Sequence, residues 1–111
     1  MNLNFDDLSE QIDIYYKLLE LIKRRDSSFI LIFQSVFPNF SIHLLKINSN
    51  LTLAEIEFCA LIKMKLTTKQ IADLKYCEVR TIQNKKNAIR KKLYIPSGID
   101  IYNWIDNIKL T

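Results

Sequence analysis

Three carboxamides and six cations share one short stretch, residues 79–93, VRTIQNKKNAIRKKL. A carboxamide sets a hydrogen-bond donor beside an acceptor, the pattern that pairs bidentately with an adenine edge, while Lys and Arg neutralise phosphates. At 100° per residue, Ile82, Ile89 and Leu93 fall on one side, with Lys86 at their edge. Arg80, Asn84, Asn87 and Lys91 fall opposite. Thr81, Lys85, Ala88 and Lys92 flank one margin, Gln83 and Arg90 the other. After Glu78 the stretch has no acid, whereas a merely solvated helix mixes signs. Residues 63–92 hold ten Lys and Arg against Asp73 and Glu78, a local balance of +8 within a chain of net +4. Residues 1–62 carry −3 and residues 93–111 carry −1. A basic helix that follows a short helix and a turn is the footprint of a major-groove reader.

Other chemistries are poorly supplied. Cys59 and Cys77 have no CxxC spacing and His43 is the sole histidine, so no zinc ligand set forms, and both cysteines read as small packing residues. No nucleophile motif accompanies His43 and no glycine-rich phosphate loop exists; no enzyme activity and no cofactor is expected. The longest uncharged apolar run, residues 29–33, is far shorter than the ~20 residues that span a bilayer. The start, MNLNFDDLSE, is acidic and unlike a signal peptide, so cytoplasmic location without a membrane partner is the expectation.

The elements that must position the basic stretch read as helices, since 111 residues contain one Gly and two Pro and are 49% hydrophobic. Phe5, Leu8, Ile12, Tyr15, Leu19 and Ile22 alternate spacings of three and four, an a/d seam of about two and a half heptads. That seam suits either an ordinary amphipathic helix or a short parallel coiled coil joining two chains. Asp26-Ser27-Ser28 interrupts it and offers N-caps to a second helix. Phe29, Phe33, Phe37 (or Val36), Phe40 and Leu44 follow at core spacing, with a new turn at Pro38. Asn48-Ser49-Asn50 reads as a linker, dividing an N-terminal dimerisation or connector segment (1–48) from a second domain (49–111). Thr52-Leu53-Ala54-Glu55 is a capping box, and Thr67-Thr68-Lys69-Gln70 repeats the device. The first opens a helix burying Ile56, Cys59 and Ala60; the second opens a short helix through about Leu74, with Ile71 and Leu74 inward. Tyr76-Cys77-Glu78 is the turn before the basic helix. Ser97-Gly98-Ile99-Asp100 caps a last helix with Ile101, Trp104, Ile105 and Ile108 on one stripe.

Leu51-Thr52, Glu55, Leu61-Ile62, Lys69-Gln70-Ile71-Ala72, Thr81-Ile82, Asn84, Ile89 and Lys92-Leu93 stand at the spacing of a known family. Residues 51–95 resemble, without gaps, the LuxR/FixJ (GerE-type) helix-turn-helix domain, and the last helix extends the resemblance to about Ile108. The upstream Phe29, Phe33, Pro38, Phe40 and Leu44, followed by Asn50-Leu51-Thr52, resemble the C-terminal output region of large sensory regulators. The chain departs from that pattern at Glu78, where a small N-cap is usual, and at Lys85, where His is common. Lys63-Met64 and Tyr94 also stand where glycines are common.

The resemblance implies an all-α fold: the helical N-terminal segment, then a four-helix DNA-binding domain with its recognition helix at about residues 79–93. It implies base-edge contacts from Gln83, Asn84 and Asn87, and phosphate contacts from Lys69, Arg80, Thr81, Lys85 and Lys91. It also implies a homodimer on double-stranded DNA, paired through the last helix (Trp104, Ile105), while the heptad spacing itself offers the N-terminal seam (Leu8, Ile12, Tyr15, Leu19, Ile22) as the other pairing surface. Two rival expectations stand beside it. One is a sigma-factor-like module that binds RNA polymerase. The other is an oligomerisation protein that pairs through the seam with a longer regulator or an upstream sensory protein.

Overall fold

The computed structural model describes residues 8–108, and every regular element among them is helical. The order is α1 (Leu8–Lys23), α2 (Phe29–Val36), α3 (Pro38–Ile47), α4 (Leu53–Lys63), α5 (Thr68–Leu74), α6 (Val79–Lys92) and α7 (Ile101–Asp106). Phe5, the first residue of the expected seam, lies outside the described residues.

Helix α1 sends Leu18 and Ile22 into the core, with Ile14, Leu19 and Leu21 packed at its edge. The inward face is therefore rotated from the alternating seam, and Leu8 and Ile12 are left exposed. The break after α1 is capped otherwise than expected. Ser28 makes no side-chain cap to α2. Instead the Asp26 carboxylate accepts from the Ser28 N–H (2.9 Å) and hydroxyl (2.7 Å), a closed polar turn whose bonds hold its pKa down.

Phe29, Phe33 and Phe40 are buried, and Phe33 stands within 5.7 Å, ring to ring, of Phe29, Phe37 and Phe40. Pro38 opens α3, and the chain bends by 93° between α2 and α3, because proline fixes φ at a first helical turn and cannot continue the preceding helix. Among the described residues no single helix is long and apolar enough to cross a membrane.

Both capping boxes form. Thr52 Oγ1 accepts from the Glu55 N–H (3.2 Å) while the Glu55 carboxylate accepts from the Thr52 N–H (2.9 Å). Thr67 and Gln70 repeat the exchange at 3.1 and 2.9 Å. They start α4, which is almost wholly buried from Phe58 to Ile62, and α5, which buries Ile71 and Ala72. Burial drives the Cys59 thiol up to about 12, so it packs as an inert neutral group.

One cluster of buried side chains runs from Leu18 to Ile108, crossing the Asn48–Asn50 linker. Across that linker Asn48 Nδ2 also donates to the Lys92 carbonyl at 3.2 Å. Helix α2 packs on α1, α3 and α4, while α4 packs on α7 and α5 on α6. The stripe on α7 points inward: Ile101, Ile105 and Ile108 are buried.

Four helices end alike. Arg25, Lys65, Tyr76 and Tyr94 follow α1, α4, α5 and α6 with φ between 53° and 68°. Each N–H, and the next one, turns back onto the last turn, as in Lys65 N to Ile62 O (2.9 Å) and Leu66 N to Leu61 O (3.2 Å). This is the left-handed C-terminal cap that glycine usually supplies. With one glycine in the chain, basic and aromatic residues adopt it instead.

Candidate nucleic-acid interface

Two helices, α5 and α6, pack together through a tight turn at residues 75–78. The turn closes as Tyr76 N and Cys77 N bond to Asp73 O (3.3 Å) and Ala72 O (3.0 Å). A strap from outside holds it: the Arg25 guanidinium lies 4.5 Å from the Tyr76 ring centre and donates to the Leu74 and Asp73 carbonyls, both at 3.4 Å. Both partners are left-handed caps, so the end of α1 is fastened to the end of α5. No sequence spacing signals that tie, because its residues stand about fifty positions apart.

Helix α6 starts after Glu78, whose extended backbone suits an N-cap although its carboxylate makes no capping bond. Its anionic side chain complements the positive end of the helix dipole. Ile82 and Ile89 are buried on the inner face, and Leu93 just beyond it. The half-buried margins are tied down. Lys86 Nζ donates to Thr68 Oγ1 (3.3 Å) and lies 5.3 Å from the Tyr102 ring centre. Arg90 donates to the carbonyls of Ile99 (2.6 Å) and Pro96 (3.0 Å). Lys92 pairs with Glu55 at 2.6 Å. Burial raises the Glu55 carboxyl, but the hydrogen bonds from Lys92 and Thr52 outweigh it and hold the group below its ordinary range.

The outer face is left to solvent: Arg80, Thr81, Gln83, Asn84, Asn87, Ala88 and Lys91 are all exposed. Of the ten cations in residues 63–92, Lys63 and Lys65 meet Asp106, Lys75 meets Glu57 and Lys92 meets Glu55. Partial burial lowers the pKa of Lys63. Arg90 and Lys86 serve the fold. Among the described residues, Lys69, Arg80, Lys85 and Lys91 have no carboxylate partner, and Lys85 sits 5.5 Å from the Phe58 ring centre. The +8 counted along the chain therefore overstates the exposed charge, since the neutralising acids come from positions 55, 57 and 106.

The residues expected to pair two chains divide sharply. Leu8, Ile12 and Tyr15 are exposed, at 69%, 45% and 37%. Leu19 and Trp104 are half-buried. Ile22 and Ile105 are inside this chain's own core, at 6% and 0%, which removes both from any partner-facing surface. Tyr15 and Leu19 line an open groove of about 500 Å³ against Met64, Leu66 and Leu74, and Tyr15 Oη donates to the Met64 carbonyl at 3.2 Å. On α2 and α3, Leu31, Ile32, Ile42 and Leu45, which the periodicity had placed in no surface, are exposed as well.

Helix α7 is fixed by a cap at its start and by a tie to the chain after α4. Asp100 caps it by accepting from the Asn103 N–H (3.1 Å), and Tyr102 Oη donates to the Leu66 carbonyl at 2.5 Å. Among the described residues no three His, Cys, Asp or Glu side chains gather as a metal site. No protein-family model, curated protein or solved structure matches the chain.

Proposed function

We propose that this chain is a sequence-reading, duplex-DNA-binding transcription regulator of LuxR/FixJ type that acts as a homodimer, with α6 lying in the major groove. One observation carries the proposal: α6 has a solvent face holding three carboxamides flanked by cations without carboxylate partners, while its other side is fixed by buried isoleucines. Gln83, Asn84 and Asn87 read base edges. Lys69, Arg80, Lys85, Lys91 and the Thr81 hydroxyl hold phosphates. A second copy docks on the apolar side chains that α1 leaves exposed, Leu8 and Ile12 with Tyr15 beside them. Cytoplasmic location is part of the same proposal, and regulation comes from a partner, an upstream sensory part or concentration.

Four cations per chain make eight in a homodimer, so six or more phosphates are within its means. Affinity then falls about 10³-fold or more between 50 and 200 mM salt. A band-shift series across that range tests this. Binding that ignores salt, or no binding to any duplex, overturns the proposal. The exposed apolar side chains also favour a second reading, a module that docks on RNA polymerase or a longer regulator. Capture of polymerase without promoter DNA, undiminished in Arg80→Ala/Lys91→Ala, selects that reading.

A further inference from the structure

The order of side chains along the outer face of α6 restricts which base pairs it can read; this rests on the DNA-binding proposal above. Arg80 and Lys91 stand at the two ends, about 16 Å apart at 1.5 Å per residue. Guanine presents two acceptors in the major groove and is read best by two donors from Arg or Lys. The turns between those cations hold no such group on the outer face. They hold Gln83, Asn84, Asn87 and an exposed methyl, Ala88. A carboxamide turned to guanine sets its carbonyl against an acceptor, whereas adenine offers one donor and one acceptor that it can match.

Ala88 follows Asn84 by four residues, so its methyl lies beside the Asn84 side chain on the same helical face. A small apolar group beside a carboxamide is the complement of an A·T step: the amide takes the adenine edge and the methyl meets the thymine C5-methyl. A long polar helix former such as Lys or Gln would cost little stability at this exposed position, but its length would hold α6 off the base edges. We infer that Ala88 is a specificity-determining residue, and that the preferred ligand is duplex DNA with an A·T core in each half-site, its thymine methyl in contact with Ala88. RNA is disfavoured twice over, since it lacks the methyl and its major groove is too narrow for a helix.

The experiment begins with selection from a random duplex pool at low salt. An A·T core is expected. Each core thymine of the selected duplex is then replaced by deoxyuridine, which deletes only the C5-methyl. One replacement should weaken binding about fourfold, the transfer value of one buried methyl. Ala88→Ser and Ala88→Gly, each checked for helical content by circular dichroism, should bind thymine and uracil duplexes equally. A G·C core, or a wild type indifferent to every deoxyuridine, overturns the inference and leaves the DNA-binding proposal standing. Variants that keep the wild-type preference for thymine also overturn it. A pool from which nothing is enriched overturns both.

Discussion

Helices α2 and α3 and helix α6 solve opposite problems. The first pair carries more apolar side chains than its packing can cover: Phe29, Ile30, Phe33, Phe40 and Leu44 are buried, yet Leu31 and Ile42 stay 65% and 51% exposed. Helix α6 buries only Ile82 and Ile89 along its length, and polar ties from Lys86, Arg90 and Lys92 complete its hold. A thin apolar seam leaves a whole helical face uncommitted, which is what a surface that meets a polyanion requires. A face saturated with apolar groups can serve only packing or a protein partner.

The largest expected effect tests whether the two regions share one fold. Phe33 is fully buried in the cluster that also holds Ile89. Phe33→Ala should cost about 3–5 kcal/mol through the cavity it leaves. Because the cluster crosses the linker, denaturation followed by Trp104 fluorescence and by far-ultraviolet circular dichroism should shift together, as one transition. Two separated transitions would make residues 1–48 and 49–111 independent folding units.

Within α6 the two faces should separate stability from recognition. Ile89→Ala removes half of the buried seam and should cost about 2–4 kcal/mol. Asn84→Ala, on the exposed face, should leave stability within about 0.5 kcal/mol. It should instead relax preference at one base pair by about 1–3 kcal/mol, whereas Lys91→Ala weakens all sequences alike. Uniform losses from both in binding to a panel of duplexes would mean that Asn84 reads no base.

The ion pair at the base of α6 has a pH signature. The Glu55 carboxyl is held below its ordinary value of 4.5, so its contribution is present above that value and fades as pH falls through the lower folded value. Glu55→Gln keeps the bond to the Thr52 N–H, as Gln70 does for Thr67, and loses the Lys92 ion pair, so it should cost about 0.5–1 kcal/mol at pH 7. Urea midpoints of the two proteins should converge as pH falls below the lowered folded value. A gap that persists there assigns the loss to packing rather than to charge.

How much of this was legible depends on the range over which each signal acts. The capping boxes at Thr52 and Thr67, the helix start at Pro38 and the inward phenylalanines follow from neighbours within one turn, and the structure has them. The carboxamide face of α6 followed from its wheel for the same reason. The rest needed distant partners. Lys63, Lys65, Lys75 and Lys92 look like one basic block until Asp106, Glu57 and Glu55 come beside them. The α1 seam was ambiguous because Leu18 and Ile14 extend its apolar surface sideways, and only docking on α2 decides which edge is covered. Burial of Ile105 was likewise invisible to periodicity, which finds an apolar stripe without saying whether its own domain or a second copy covers it.

The smallest effects are the most discriminating, because they should differ in sign. Tyr94 and Arg25 share a left-handed backbone, with φ of 54° and 53°, and that conformation costs an L-residue about 1–2 kcal/mol. Glycine removes the cost but returns part of it through the freer unfolded chain. Tyr94 is 74% exposed at the far end of α6, so Tyr94→Gly should stabilise by about 0.5 kcal/mol. Arg25→Gly gains the same relief and loses the Tyr76 contact and two bonds to carbonyls of α5. An exposed cation–π contact contributes about 0.5–1 kcal/mol and the two long bonds add to it, so the net change should be a small loss. Thermal midpoints should therefore move up for one variant and down for the other. If both move up, the Arg25 strap holds nothing, and the apolar N-terminal helices and the basic helix α6 are joined by their core alone.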